Sequence, residues 1–223
     1  MTDNIKNAEY ELLAMILRKY DFLSDAERRL WFDVICFCRN DVEFLYRIYD
    51  SLNANSEIFQ SRNKKVEYSC INGKYIIKCD MQSAEYTNKE LKLLIPSLIG
   101  ITEEILPLGS LVELNLGYKN PKENRTDQLQ MIITHRFISP EGESDYFEYG
   151  GIPYPTGMPQ GDKVLFFTNR SVKNVIHKGY TDLKDRQFVI AVKNALLIEK
   201  NVKSVSFSDN YKYKNIQKQS GEN

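Results

Sequence analysis

Residues 66–80 read VEYSCINGKYIIKCD, and this stretch decides the fold class. Asn72 and Gly73 both tolerate the positive φ of a type I′ turn, and β-branched and aromatic residues flank them, so the spacing predicts a two-residue β-hairpin. That closure pairs Ile71 with Lys74 and Cys70 with Tyr75. Val66, Tyr68, Cys70, Tyr75, Ile77 and Cys79 then share the core face. Lys65, Glu67, Ser69, Lys74 and Lys78 take the other, with Glu67 opposite Lys78. On this register Cys70 and Cys79 stand four residues apart along the core face, about 13 Å at strand rise and beyond disulfide reach.

Upstream of the hairpin, the chain reads as three helices. In residues 6–20, Leu13, Ile16, Leu17 and Tyr20 recur at helical spacing, with Leu12 and Met15 widening the stripe. Ser24 followed by Glu27 forms a capping box, and the body behind it, LWFDVICFC, is apolar on nearly every side. Asn40 or Asp41 caps a third helix that buries Leu45, Ile48, Tyr49 and Leu52. Downstream, Thr87 with Glu90 makes a second capping box, and its helix runs through Leu91, Leu94 and Ile95 towards Pro96 and Gly100. Beyond Leu106 short strands alternate with turn residues: LGSLVELNLG, QLQMIITHRFI, SDYFEYGGI and KVLFFTN, joined by KNPKENRTD, SPEGE and PYPTGMPQGD. A helical turn over residues 171–174 and a short strand over 175–177 follow. Thr181 then caps a closing helix from Asp182 to Lys200, whose buried face is Phe188, Val192, Ala195 and Leu196.

The expected architecture is therefore α+β. A helical N-terminal unit with a β-hairpin spans residues 1–102, a small antiparallel sheet closed by a C-terminal helix spans 103–200, and a polar tail spans 201–223.

Composition narrows the function. Lys and Arg number 30 against 30 Asp and Glu, so the 223-residue chain has no net charge. A nucleic-acid partner, which needs a surplus of cations to displace counterions, is not expected. The imbalances are local: residues 1–60 hold 7 basic and 11 acidic side chains, and residues 200–223 hold 5 and 2. The N-terminus lacks a basic n-region with an apolar run behind it, and the densest apolar stretch, Leu91 to Ile101, falls short of the ~20 residues of a membrane span. A cytoplasmic protein without membrane insertion is expected. The four cysteines, Cys36, Cys38, Cys70 and Cys79, match no zinc-ligand spacing, so they read as structural thiols and no metal is expected.

Signatures of catalysis are missing from the sequence: there is no P-loop, GxSxG, HExxH or dinucleotide-binding fingerprint. His135 alternates onto the strand face of Leu129, Met131, Ile133 and Phe137 and reads as a partly buried histidine bonded to backbone. His177 reads as a surface or sheet-edge residue. The pairs Glu103–Glu104, Glu141–Glu143 and Asp182–Asp185 sit at element ends, where helix dipoles and solvation account for them. Neither a catalytic residue nor a cofactor is expected. The segment that stands out is DYFEYGGIPYPTGMPQGD, residues 145–162, which crowds aromatics among prolines and glycines. It reads either as a stiff turn packing aromatics on the sheet or as a protein-docking surface of Tyr146, Phe147, Tyr149, Tyr154, Pro155 and Met158.

Four stretches together resemble a known family: LPLGSLVEL (106–114), MIITHR (131–136), DYFEYGGIPYPTGM (145–158) and LFFTNRSVKNVIHKGYTDLKDRQFV (165–189). They are similar to a small bacterial domain-of-unknown-function family with an LPLGS strand, a DY…YP.G segment and a closing GY.D stretch. Leu106 to Ser110, Asp145-Tyr146, Tyr154-Pro155, Gly157, Phe167, Val172, Val175, Gly179-Tyr180 and Asp182 carry the likeness. The long loop KNPKENRTD, the GMPQGD segment and the first hundred residues depart from it. Members occur beside LXG-type toxins and their small helical partner proteins in type VIIb secretion clusters of Gram-positive bacteria. The resemblance thus implies a non-enzymatic cytosolic chaperone or targeting factor whose partner is an LXG toxin effector, alone or together with those helical proteins. The alternative is a cytosolic immunity protein that inhibits a cognate toxin by direct binding.

Overall fold

The computed structural model describes residues 2–52, 56–115, 129–140, 145–158 and 164–208. The loops KNPKENRTD and SPEGE, with Glu141–Glu143, fall wholly or mostly outside these residues, as do the end of PYPTGMPQGD and the chain beyond Ser208. Helices α1 (Thr2–Arg18), α2 (Asp25–Cys38) and α3 (Val42–Ser51) come first. Strands β1 (Ser56–Gln60), β2 (Val66–Ile71), β3 (Lys74–Cys79), β4 (Gln82–Tyr86) and helix α4 (Asn88–Thr102) follow. After these come β5 (Leu111–Leu114), β6 (Leu129–Ile138), β7 (Phe147–Pro153), β8 (Leu165–Phe167), β9 (Val172–His177) and α5 (Leu183–Asn194). The fold is α+β. It divides into two compact units: one runs to Glu104 and includes Lys193–Asn201, the other takes Ile105–Val192 and the chain from Val202. No described helix is long and apolar enough to cross a membrane.

In the first unit both capping boxes form. Ser24 and Thr87 accept from the backbone N–H of Glu27 and Glu90, and each glutamate reaches back to its cap's N–H. Asp41 stands at the N-cap of α3 but spends its carboxylate elsewhere, accepting from Arg62 N–H at 2.7 Å. The hairpin has the register its turn dictates, Ile71 opposite Lys74 and Cys70 opposite Tyr75. Val66, Tyr68, Cys70, Tyr75, Ile77 and Cys79 are all buried, and Lys78 meets Glu67 at 3.6 Å on the other face. The hairpin is the middle of a four-stranded sheet ordered β1-β2-β3-β4. Its two outer strands, SEIFQ and QSAEY, carry too few alternating apolar residues to announce themselves. Helix α4 continues through Pro96 to Thr102, and Lys193, itself buried, donates to the carbonyls of Ile101 at 2.9 Å and Glu103 at 2.6 Å. A cation on the last carbonyls of a helix satisfies acceptors the helix leaves unpaired.

The second unit is a five-stranded sheet ordered β8-β7-β6-β5-β9. Its core is Ile105, Leu106, Val112, Leu114, Met131, Ile133, Tyr149 and Phe167, with Val189 of α5 packed against them. Residues Val202–Ser208, the described part of the segment read as a polar tail, join this unit. Tyr146 and Ser204 form a parallel bridge, and Val205 and Phe207 are buried. The turn expected over 171–174 lies earlier, as a short 3₁₀ turn over Asn169–Ser171, and β9 occupies the rest.

The closing helix covers nearly the expected span, α5 running on into a π turn, but it buries only part of the expected face. Asp182 rather than Thr181 caps it, its Oδ1 accepting from Asp185 N–H at 2.8 Å. A π turn over Ala195–Glu199 follows the helix, and the extra residue per turn rotates the apolar stripe. Leu196, expected on the buried face, is buried, and Lys193 and Leu197 join it, while Phe188 is half-exposed. The ion pair of Arg136 Nη2 with Asp185 Oδ1, at 2.6 Å and with only 7% and 21% of the side chains exposed, ties α5 to the sheet.

His135 is exposed rather than partly buried. The β6–β7 pairing slips between Ile133 and His135, so the two-residue alternation that would carry His135 inward changes phase there. Its Nδ1 shares a hydrogen bond with Thr134 Oγ1 at 2.9 Å.

Two predictions follow from the packing. Asp185→Ala, which strands the Arg136 charge, is expected to lower stability in urea titration by about 3 kcal/mol, and Arg136→Met added to it should recover part of that loss. Cysteine accessibility gives the second. Cys38, Cys70 and Cys79 are buried and Cys36 is exposed. Burial, with Asp41 and Cys79 nearby, pushes the Cys38 thiol up to about 12, and burial beside Asp80 and Asp33 pushes Cys79 up to about 11. A thiol reagent at pH 8 should therefore titrate one thiol in the native protein, lost in Cys36→Ser, and the other three only after unfolding.

Candidate functional site

Strand β7, the residue that leads into it and the turn after it contain the six residues singled out in the sequence, and the structure divides them. Tyr146 is 2% exposed, with its ring 6.2 Å from that of Phe137. Tyr149 is fully buried. Its ring packs 5.4 Å from Phe167, its hydroxyl accepts from Leu106 N–H at 2.9 Å, and it donates to Asn169 Oδ1. Both tyrosines are core residues, which corrects their assignment to a contact surface: they belong to the strand and its lead-in, not to a loop. Phe147 is partly exposed and stands 5.8 Å from Phe166. Tyr154, Pro155 and Met158 are exposed on the turn.

That turn is held by backbone. Tyr154 N–H donates to Gln130 C=O at 2.9 Å, and Gly157, at φ +71, donates its N–H to Pro153 C=O at 2.8 Å. Positive φ suits glycine at this point because a Cβ would be strained there. The Tyr154–Pro155 peptide is cis. Side chains at the tip are thus presented on an ordered frame.

The register extends this surface across the sheet. Leu111 pairs with Ile132, and Ile132 with Ile152, so the three stand side by side on the face opposite Val112, Met131 and Ile133. Tyr154, two residues beyond Ile152, continues the same side. Phe166 joins it from β8, opposite Gly150. Leu111, Ile132 and Ile152 are partly exposed, and Phe166 and Tyr154 are 40% and 48% exposed. Lys173 and Glu113 add an ion pair of 2.5 Å between β9 and β5.

Glycine at positions 150 and 151 is what lets the strands close up beneath this row. A Cβ on Gly151 would stand 2.6 Å from Ile132 C=O, and one on Gly150 2.7 Å from Ile138 Cδ1.

Leu111, Ile132, Ile152 and Phe166 were not singled out in the sequence, yet a signal exists. Met131-Ile132-Ile133 and Leu111-Val112 are consecutive apolar residues, and a strand that faces water on one side alternates instead. Among the described residues no group of three or more His, Cys, Asp or Glu is placed to hold a metal ion.

The fold and site define an α+β protein whose second unit pairs a buried apolar core with an apolar row on the opposite sheet face. Residues 105–188, nearly the whole first segment of that unit, match the family described as Domain of unknown function (DUF4176). No curated protein matches the chain, and no solved structure does.

The division of the tyrosines has a direct test. Tyr149→Phe removes a buried hydroxyl with two partners and is expected to cost about 1–3 kcal/mol of stability. Tyr154→Ala should stay within about 0.5 kcal/mol of the parent in the same denaturation assay.

Proposed function

We propose that the protein is a cytosolic chaperone or targeting factor that binds an LXG-type toxin effector for export by type VIIb secretion, and that it works by docking rather than by chemistry. The observation that carries this reading is the apolar row Leu111–Ile132–Ile152 flanked by Tyr154 and Phe166. A folded client can bury such a row with little ordering cost, because the strands and the hydrogen-bonded turn fix the side chains beforehand. Exposed aromatic side chains such as Tyr154 and Phe166 are frequent carriers of binding energy. The match of residues 105–188 to a domain-of-unknown-function family is consistent with the resemblance from which the client class is inferred.

Co-expression with an LXG-type toxin tests it. The LXG-type N-terminal half of the toxin should co-purify with this protein. Tyr154→Ala combined with Phe166→Ala should weaken that complex by about 1–2 kcal/mol or more while the melting temperature changes only slightly. Capture of the toxin's C-terminal domain instead, with loss of toxin activity, would assign the protein as an immunity factor.

A further inference from the structure

We propose that docking on the apolar row is gated by pH: His135 and His177 must be uncharged for a partner to cover the row, and their protonation releases it. This inference rests on the docking reading above and adds its regulation.

The chain has two histidines, and both stand on this sheet face. Each arrives there through a one-residue slip. On β6 the extra residue is Thr134, and His135 then lies opposite Gly150, which pairs on its other side with Phe166. On β9 the extra residue is Ile176, and His177 then lies opposite Leu111. Residues directly opposite on paired strands share a face, and a bulge is a means of re-aiming a side chain. Pairing without the slips would turn both rings to the other side. As built, both are exposed beside the row.

Their positions oblige a partner to meet them. His135, Gly150 and Phe166 stand side by side across β6, β7 and β8, one step along the strands from Ile132 and Ile152. Glycine presents no side chain of its own, and a Cβ on Gly150 would stand 3.3 Å from His135 Cβ. A partner that covers Ile132, Ile152 and Phe166 together therefore passes over Gly150 and against His135. Contact with Leu111 brings it against His177 in the same way. Imidazole is the side chain whose charge ordinarily changes between pH 5 and 8. A neutral ring adds to the surface a partner can cover. A charged one must give up water beneath an apolar partner, and that opposes binding.

The charged groups around the two rings are engaged, turned away or of the same sign. Arg136 lies opposite Tyr149 on the core side and pairs with Asp185 of α5, the helix that packs on that side. Glu148 of β7 is 2% exposed and accepts from Asn169 N–H at 3.3 Å. Glu113 of β5 is held by Lys173 of β9 at 2.5 Å. Lys178, next to His177, is a cation. The hydrogen bond between Thr134 Oγ1 and His135 Nδ1 serves either charge state, because a hydroxyl both donates and accepts.

The test measures the affinity of the intact chain for the LXG-type N-terminal half of the toxin at pH 7.5 and pH 5.5. Affinity should fall at least tenfold at the lower pH, since each proton that docking excludes is worth about tenfold per pH unit. His135→Gln with His177→Gln should flatten that dependence. In the unsubstituted protein, the two ring resonances followed by NMR should titrate at lower pH in the complex than in the free chain, a comparison that misfolding of the variant cannot hide. Equal affinity at the two pH values, the same fall in the double variant, or unchanged ring titration overturns the proposal. So does tighter binding at pH 5.5, since the partner then presents carboxylates to the rings. Absence of a complex at both pH values removes the docking reading itself, and the gate falls with it.

Discussion

The buried hydroxyl of Tyr149 is the point on which the second unit turns. Its ring stands in the core against Phe167, and its oxygen receives the N–H of Leu106 and donates to Asn169. Three segments distant in sequence meet on one atom: the entry to β5, the middle of β7 and the turn that follows β8. A buried polar group is tolerated only when hydrogen-bonded, so this arrangement fixes where the chain enters the sheet and where β8 must stop. With Tyr149 inward, strand alternation fixes the rest. Gly151 faces the core side, Ile152 and Tyr154 the other, and the apolar row across β5, β6 and β7 follows from the pairing.

What was legible in the sequence is what local chemistry decides. The Asn72-Gly73 turn sets the hairpin register, and each capping box sets a helix start, because both depend on residues within a few positions of one another. The illegible features are those where distant packing shifts a phase. The slip between Ile133 and His135 moves His135 to the surface, and Phe137 beyond it adopts φ +55. Through the π turn after Asn194, Leu197 is buried along with the expected Leu196. Neither leaves a mark in the local pattern. At the candidate site, Tyr154, Pro155 and Met158 were legible as exposed turn residues. Tyr146 and Tyr149 were not legible as core, because prolines and glycines nearby made a strand resemble a loop.

Faces and edges of the second sheet are treated differently, and the contrast bears on how it can engage another molecule. An exposed apolar face invites association without direction, whereas an exposed edge invites a strand. β9 is the longer edge and carries exposed Val175 and Ile176, which alone would make it a hazard. Two register shifts against β5 and the charge of Lys173 interrupt it, and β8 ends after three residues. Strand addition is thereby disfavoured at both ends of this sheet. The apolar row lies between those ends, on strands whose backbone groups are already paired to neighbours on both sides. Contact there must proceed through side chains. Recognition through fixed side chains selects by shape and apolar fit, so the proposed client would be discriminated by how well it covers Ile132, Ile152, Tyr154 and Phe166 together.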